Sequence, residues 1–106
     1  MICGISEMCM AEIIKIDFDH PDTALKNALD ILTNGGIVSF PTETFYGLGV
    51  NALDEQAVNK IFRVKRRDIN KPLLIFIASK DQLSDLAKTV NVTAKKLIDC
   101  FWPGPL

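Results

Sequence analysis

After Pro72 the chain runs through six apolar residues without a polar break, Leu73-Leu-Ile-Phe-Ile-Ala78. A continuous run of this kind, rich in β-formers, is the pattern of a strand buried on both faces. Such a strand needs cover above and below and neighbours on either side. An earlier stretch, Glu12 to Phe18, alternates Ile14, Ile16 and Phe18 with Lys15 and Asp17, the period-two signature of a strand with one buried face. Ile37-Val38-Ser39-Phe40 reads as a third, short buried strand cut off by Pro41.

Helical patterns lie between these strands. After Pro21, the residues Leu25, Ala28, Leu29 and Leu32 form one stripe, and the helix is expected to stop at Asn34-Gly35-Gly36. Asp54 can cap a second helix running to about Val64, with Val58, Ile61 and Phe62 facing inward. A short helix near Asp81 to Lys88 and another from about Thr93 to Phe101, with Ala94, Leu97, Ile98 and Phe101 in register, complete the pattern. Strands alternating with helices predict an α/β layer fold. Thr42 to Ala52, with Gly47 and Gly49, reads as a loop running into an irregular strand.

A chain of 106 residues makes one small domain at most. The inventory is short of the neighbours that a doubly buried strand requires, and the expectation is a truncated domain, with residues 1–11 a loose amino-terminal tail and 12–106 the partial domain. A formal charge of −1 excludes nucleic-acid binding over the whole surface. Cys3, Cys9 and Cys100 are an odd count without framework spacing, as expected of reduced thiols in a cytoplasm. No structural metal is expected, and neither a signal peptide nor a membrane span is legible.

Charge is concentrated in one place. Six of the twelve basic residues fall between Lys60 and Lys71, in Lys60-Ile-Phe-Arg-Val-Lys-Arg-Arg-Asp-Ile-Asn-Lys71. Like charges packed this closely repel one another, so a near-neutral domain gains little from them unless an anion binds. Lys65 and Arg67 do not share a helix face, but both can leave the end of the second helix and converge on a ligand, with Lys71 joining from the next segment. A planar fork and a mobile ammonium suit phosphate. The plainer alternative is a solvated helix end whose cations complement the macrodipole.

Pro41-Thr42-Glu43-Thr44 places two hydroxyls and a carboxylate just after a buried strand, where α/β folds carry binding loops, although a polar turn would look the same. Gly47-x-Gly49 lacks the third glycine of a dinucleotide fingerprint, and no Walker-type lysine is present. His20, before Pro21, reads as a loop histidine and Trp102 as packing for the last helix.

In order, Phe40-Pro-Thr-Glu-Thr-Phe-Tyr-Gly-Leu-Gly49, Lys65-Arg-Arg67, Lys71-Pro-Leu-Leu-Ile-Phe-Ile-Ala78 and Phe101-Trp-Pro-Gly-Pro-Leu106 make the chain resemble the amino-terminal half of the YrdC domain, the family of L-threonylcarbamoyladenylate synthases. The resemblance implies a twisted open α/β sheet with flanking helices and a basic hollow. It implies condensation of L-threonine, bicarbonate and ATP into threonylcarbamoyl-AMP, with Mg²⁺ arriving on the nucleotide. The threonylcarbamoyl group then passes to an adenosine of tRNA, directly or through transfer proteins.

On that likeness Lys65 and Arg67 match the family's Lys-x-Arg pair and are the expected catalytic and nucleotide-binding residues. Lys71 matches a nucleotide contact, and Thr42 and Thr44 line the threonine pocket. Phe76 stands where some members carry histidine. The family's later Ser-x-Asn is missing from these 106 residues, so half a site and little activity are expected of them alone. Two alternatives stay open: an RNA-binding module using the basic run, and a carbamoyl-adenylate-forming domain of the hydrogenase-maturation type.

Overall fold

A computed structural model describes residues 2–4 and 11–104, which fall into two units, residues 1–73 and 74–106. The first unit is built on a four-stranded antiparallel sheet, in the order β2-β1-β3-β4. Its strands are β1 (Ile2–Gly4), β2 (Glu12–Ile14), β3 (Val38–Pro41) and β4 (Tyr46–Gly49). Helix α1 (Asp22–Thr33) packs on β1 and β3, and α2 (Glu55–Val64) follows β4.

Two expectations about the amino-terminal part change. Ile2–Gly4, inside the stretch expected to be a loose tail, pair with β2 and with β3 in the sheet; three residues are too few to display a period. Met1 and residues 5–10 lie outside the described residues. The strand expected to reach Phe18 stops at Ile14, where its pairing with β1 ends at the Ile2 register. Phe18 is accordingly 89% exposed. Ile16 still packs against the core.

The core consists of Ile14, Ala24, Ala28 and Val38, with Ile16, Ile31, Leu32 and Phe40 against it. Each fully buried aliphatic side chain contributes about 1.5–3 kcal/mol. Helix α1 therefore buries Ala24 and Ala28 on the sheet, and Leu25 and Leu29, expected inside, are 55% and 61% exposed. Either stripe has helical spacing; the alanines let the helix lie close to β1 and β3, and the bulkier leucines rotate outward.

The helix ends as the Asn34-Gly35-Gly36 signal predicts. Gly35 has φ +70°, a left-handed backbone that glycine adopts without steric penalty. A methyl group there would also sit 2.9 Å from the Asp54 carboxylate. That carboxylate caps α2, accepting from Gln56 N at 2.9 Å and Ala57 N at 3.1 Å. Lys60, one turn further along α2, donates from Nζ to Gly35 O at 3.2 Å. The end of one helix and the start of the next are thus fastened at one glycine.

In the second unit, a 3₁₀ turn (Lys80–Gln82) leads into α3 (Leu83–Leu86), and α4 (Val92–Phe101) follows. Asn91 caps α4 by accepting from Ala94 N at 2.7 Å, and Lys80 pairs with Asp99 at 3.1 Å. The expected helical register is present, yet none of these helices has a buried residue. Leu73 to Ala78, expected to be a doubly buried strand, forms no strand among the described residues, with Leu74 and Phe76 80% and 73% exposed. β-propensity favours a strand only where a neighbouring backbone takes up its N–H and C=O groups. No helix of the described residues is long and apolar enough to cross a membrane.

Candidate functional site

The basic run begins inside α2 and ends in a compact turn. Arg66 N donates to Arg63 O at 3.1 Å and Arg67 N to Phe62 O at 2.9 Å, the paired 5→2 and 6→1 bonds of a Schellman motif with Lys65 as the C-cap. The position after the cap is normally glycine; here Arg66 occupies it at φ +48°. A non-glycine residue held there costs about 1–2 kcal/mol. This turn sends Lys65 and Arg67 off the helix end, as their spacing predicts.

The chain then closes on itself. Asp68 Oδ1 accepts from the backbone and side-chain nitrogens of Asn70 at 2.9 and 3.0 Å, and Lys71 N donates to Asp68 O at 3.0 Å. The only carboxylate of the run is thereby occupied by amides rather than cations. Arg67 Nη2 donates to Pro72 O at 2.9 Å, which fixes its guanidinium across the loop. Lys65 and Lys71 are exposed.

The expected convergence is only partly realised. Arg67 lines an open groove together with Asn59, Phe62, Arg63 and Ile69, while Lys65 is not among the lining residues. Lys60 is drawn away from the cluster by its bond to Gly35 O. Both Lys60 and Arg63 belong to the basic run, and neither was expected to have a role apart from Lys65, Arg67 and Lys71. The glycine stop, which leaves helix carbonyls in need of donors, was the available signal for the first; the four-residue spacing from Arg67 was the signal for the second.

Thr42 and Thr44 sit in the turn of the β3–β4 hairpin, whose register runs from Val38 opposite Gly49 to Pro41 opposite Tyr46. Pro41, expected to terminate β3, is its last paired residue; β1 pairs no further than Ser39, so the missing N–H leaves no gap on that side. Gly49 lies under the Phe40 ring, where a methyl group would come within 2.8 Å of Cε1. Thr42 Oγ1 accepts from Phe45 N at 3.3 Å, donates to Phe45 O, and lies 3.4 Å from Thr44 Oγ1. The two hydroxyls are brought together, but Thr42 spends its donor within the turn. The hydrogen bonds of the Thr42 hydroxyl stay within the hairpin, and that of the Arg67 guanidinium goes to Pro72.

Known proteins carry both segments. The profile of the Sua5, YciO and YrdC proteins, described as telomere recombination, matches residues 30–106, a span that includes the hairpin and the basic turn. The chain belongs to the Sua5/YciO/YrdC family. It is 46% identical over 97 residues to a threonylcarbamoyl-AMP synthase of Pyrococcus abyssi, covering 92% of this chain and 28% of that protein. A threonylcarbamoyl-AMP synthase of Bacillus subtilis is 44% identical over 85 residues, 80% of this chain and 25% of the relative. The crystal structure of P. abyssi Sua5 complexed with L-threonine superimposes with a TM-score of 0.74 at 49% identity, covering 79% of this chain and 25% of that one. The chain therefore spans only about a quarter of the length of these members.

Proposed function

We propose that this chain supplies the amino-terminal part of an L-threonylcarbamoyladenylate synthase site, acting as a nucleotidyltransferase in the cytoplasm. The observation that carries the reading is the family match over residues 30–106, which contain the paired threonines, the Lys-x-Arg turn and Lys71 together. Threonine's amine adds to bicarbonate with loss of water, giving a carbamate. A carbamate oxygen then attacks the α-phosphorus of ATP, and pyrophosphate leaves.

Two anions must meet in that step, so fixed cations lower its barrier. Arg67, held at Pro72 O, is preorganised for this, and Lys65 leaves the same helix end. A preorganised donor facing developing charge is worth about 2.7–4 kcal/mol. Thr42 and Thr44 would hold threonine, and Lys71 the nucleotide. Mg²⁺ would come with the nucleotide and be held chiefly by its phosphates. The product's acyl group is destined for an adenosine of tRNA.

The test is pyrophosphate release from ATP by this chain extended with the carboxy-terminal part of the P. abyssi relative. Release is expected only when both L-threonine and bicarbonate are present, and this chain alone should be nearly inactive. Lys65→Ala or Arg67→Ala should lower the rate at least about a hundredfold. Unchanged turnover in both variants removes the assigned roles.

A further inference from the structure

The groove beside α2 brings two guanidinium groups to one place. Its volume is about 630 Å³, and Arg63 and Arg67 line it with Asn59, Phe62 and Ile69. The two arginines are four residues apart, and although the turn at Arg66 takes Arg67 off the helix, both line the groove. Phe62 and Ile69 supply an apolar wall, and the Asn59 amide can donate and accept.

Among the described residues neither arginine forms an ion pair. Lys80–Asp99 is the one ion pair among the described residues, and Asp68, the acid nearest in sequence, is taken up by Asn70. Arg67 gives one N–H to Pro72 O and keeps the rest of its fork for something else. Two like-charged forks in one groove repel each other, and a ligand with two adjacent anionic groups relieves that repulsion.

We infer that Arg63 is the second guanidinium of a diphosphate-binding groove, acting with Arg67 on the terminal phosphates of a nucleoside triphosphate or on pyrophosphate. This rests on the synthase reading for its biological sense and adds a residue outside the Lys-x-Arg pair. Each fork can take one phosphoryl group through two parallel N–H···O bonds. Two forks lining one groove suit two linked phosphoryl groups better than one. A solvated helix end, with Arg63 only complementing the macrodipole, would change stability on substitution but leave phosphate binding alone.

Calorimetric titration of the chain with pyrophosphate, ATP and AMP at fixed salt tests the assignment. Pyrophosphate and ATP should bind at least tenfold more tightly than AMP; whichever of the two binds more tightly identifies free product or bound nucleotide as the source. Arg63→Ala should weaken pyrophosphate at least tenfold. Arg63→Lys, which keeps the charge and the helix but not the fork, should bind more weakly than the wild type. Lys26→Ala, on α1 and outside the groove lining, should have no effect. Wild-type affinity in both Arg63 variants, equal losses in Lys26→Ala, or failure of the unaltered chain to bind pyrophosphate would each overturn it. These are equilibrium measurements without threonine or bicarbonate, so their failure leaves the turnover test of the synthase reading intact, and the converse also holds.

Discussion

The two units of this chain form helices by the same local rules and differ in what those helices rest on. In residues 1–73, α1 and α2 each bury two residues, and Ile14 and Val38 complete a core under α1. In residues 74–106, α4 has an Asn91 cap that accepts one backbone N–H where the Asp54 cap of α2 accepts two, and no residue of its helices is buried. Capping and propensity thus suffice to define a helix, but about 1 kcal/mol per cap does not hold one in place. Stability in this molecule should follow burial, and burial is confined to the first unit.

The sharpest way to break that contrast is a pair of truncations. Ile14→Ala removes a buried side chain and should cost about 2–5 kcal/mol in denaturant unfolding, whereas Leu97→Ala, on the partly exposed face of α4, should cost less than about 1. Equal losses would mean that the second unit has a core of its own. A smaller effect comes from the fastening between α1 and α2: Gly35→Ala should cost about 1–3 kcal/mol, because a left-handed backbone and the nearby Asp54 oxygen both oppose the methyl group. The change at Arg66 should be smallest and of opposite sign. Arg66→Gly relieves the φ +48° strain and should stabilise the first unit by about 1 kcal/mol, read as a higher denaturation midpoint with an unchanged slope.

Much of this was legible in the residues. The Asn-Gly-Gly stop, the Asp54 cap and the apolar period placed α1 and α2 within a residue or two of their ends, because caps and glycine act locally. The choice between the Leu25–Leu29 and Ala24–Ala28 stripes was not legible, since both satisfy the period and only the sheet decides between them. Leu73 to Ala78 has every local mark of a strand yet forms none among the described residues, because pairing depends on a neighbouring backbone that no local signal supplies. At the candidate site, the Lys-x-Arg pair and the two threonines stood out by charge and motif. Arg66 gave no warning of its left-handed backbone, a conformation that sequence reasoning looks for at glycine or asparagine. Arg63, counted in the basic run, carried no role of its own because only the groove it lines with Arg67 sets it apart from the other cations.

Gly35 sits far from any reacting atom in sequence, yet it bears on where Arg67 can reach. Helix α2 is a rod about 15 Å long, tied at Lys60, just past its middle, to that glycine's carbonyl and carrying the basic turn on its free end. A tilt about that tie carries the basic turn with it. Substitutions there should therefore be felt as misaligned phosphate contacts as well as lost stability, the behaviour of a lever moved at its pivot.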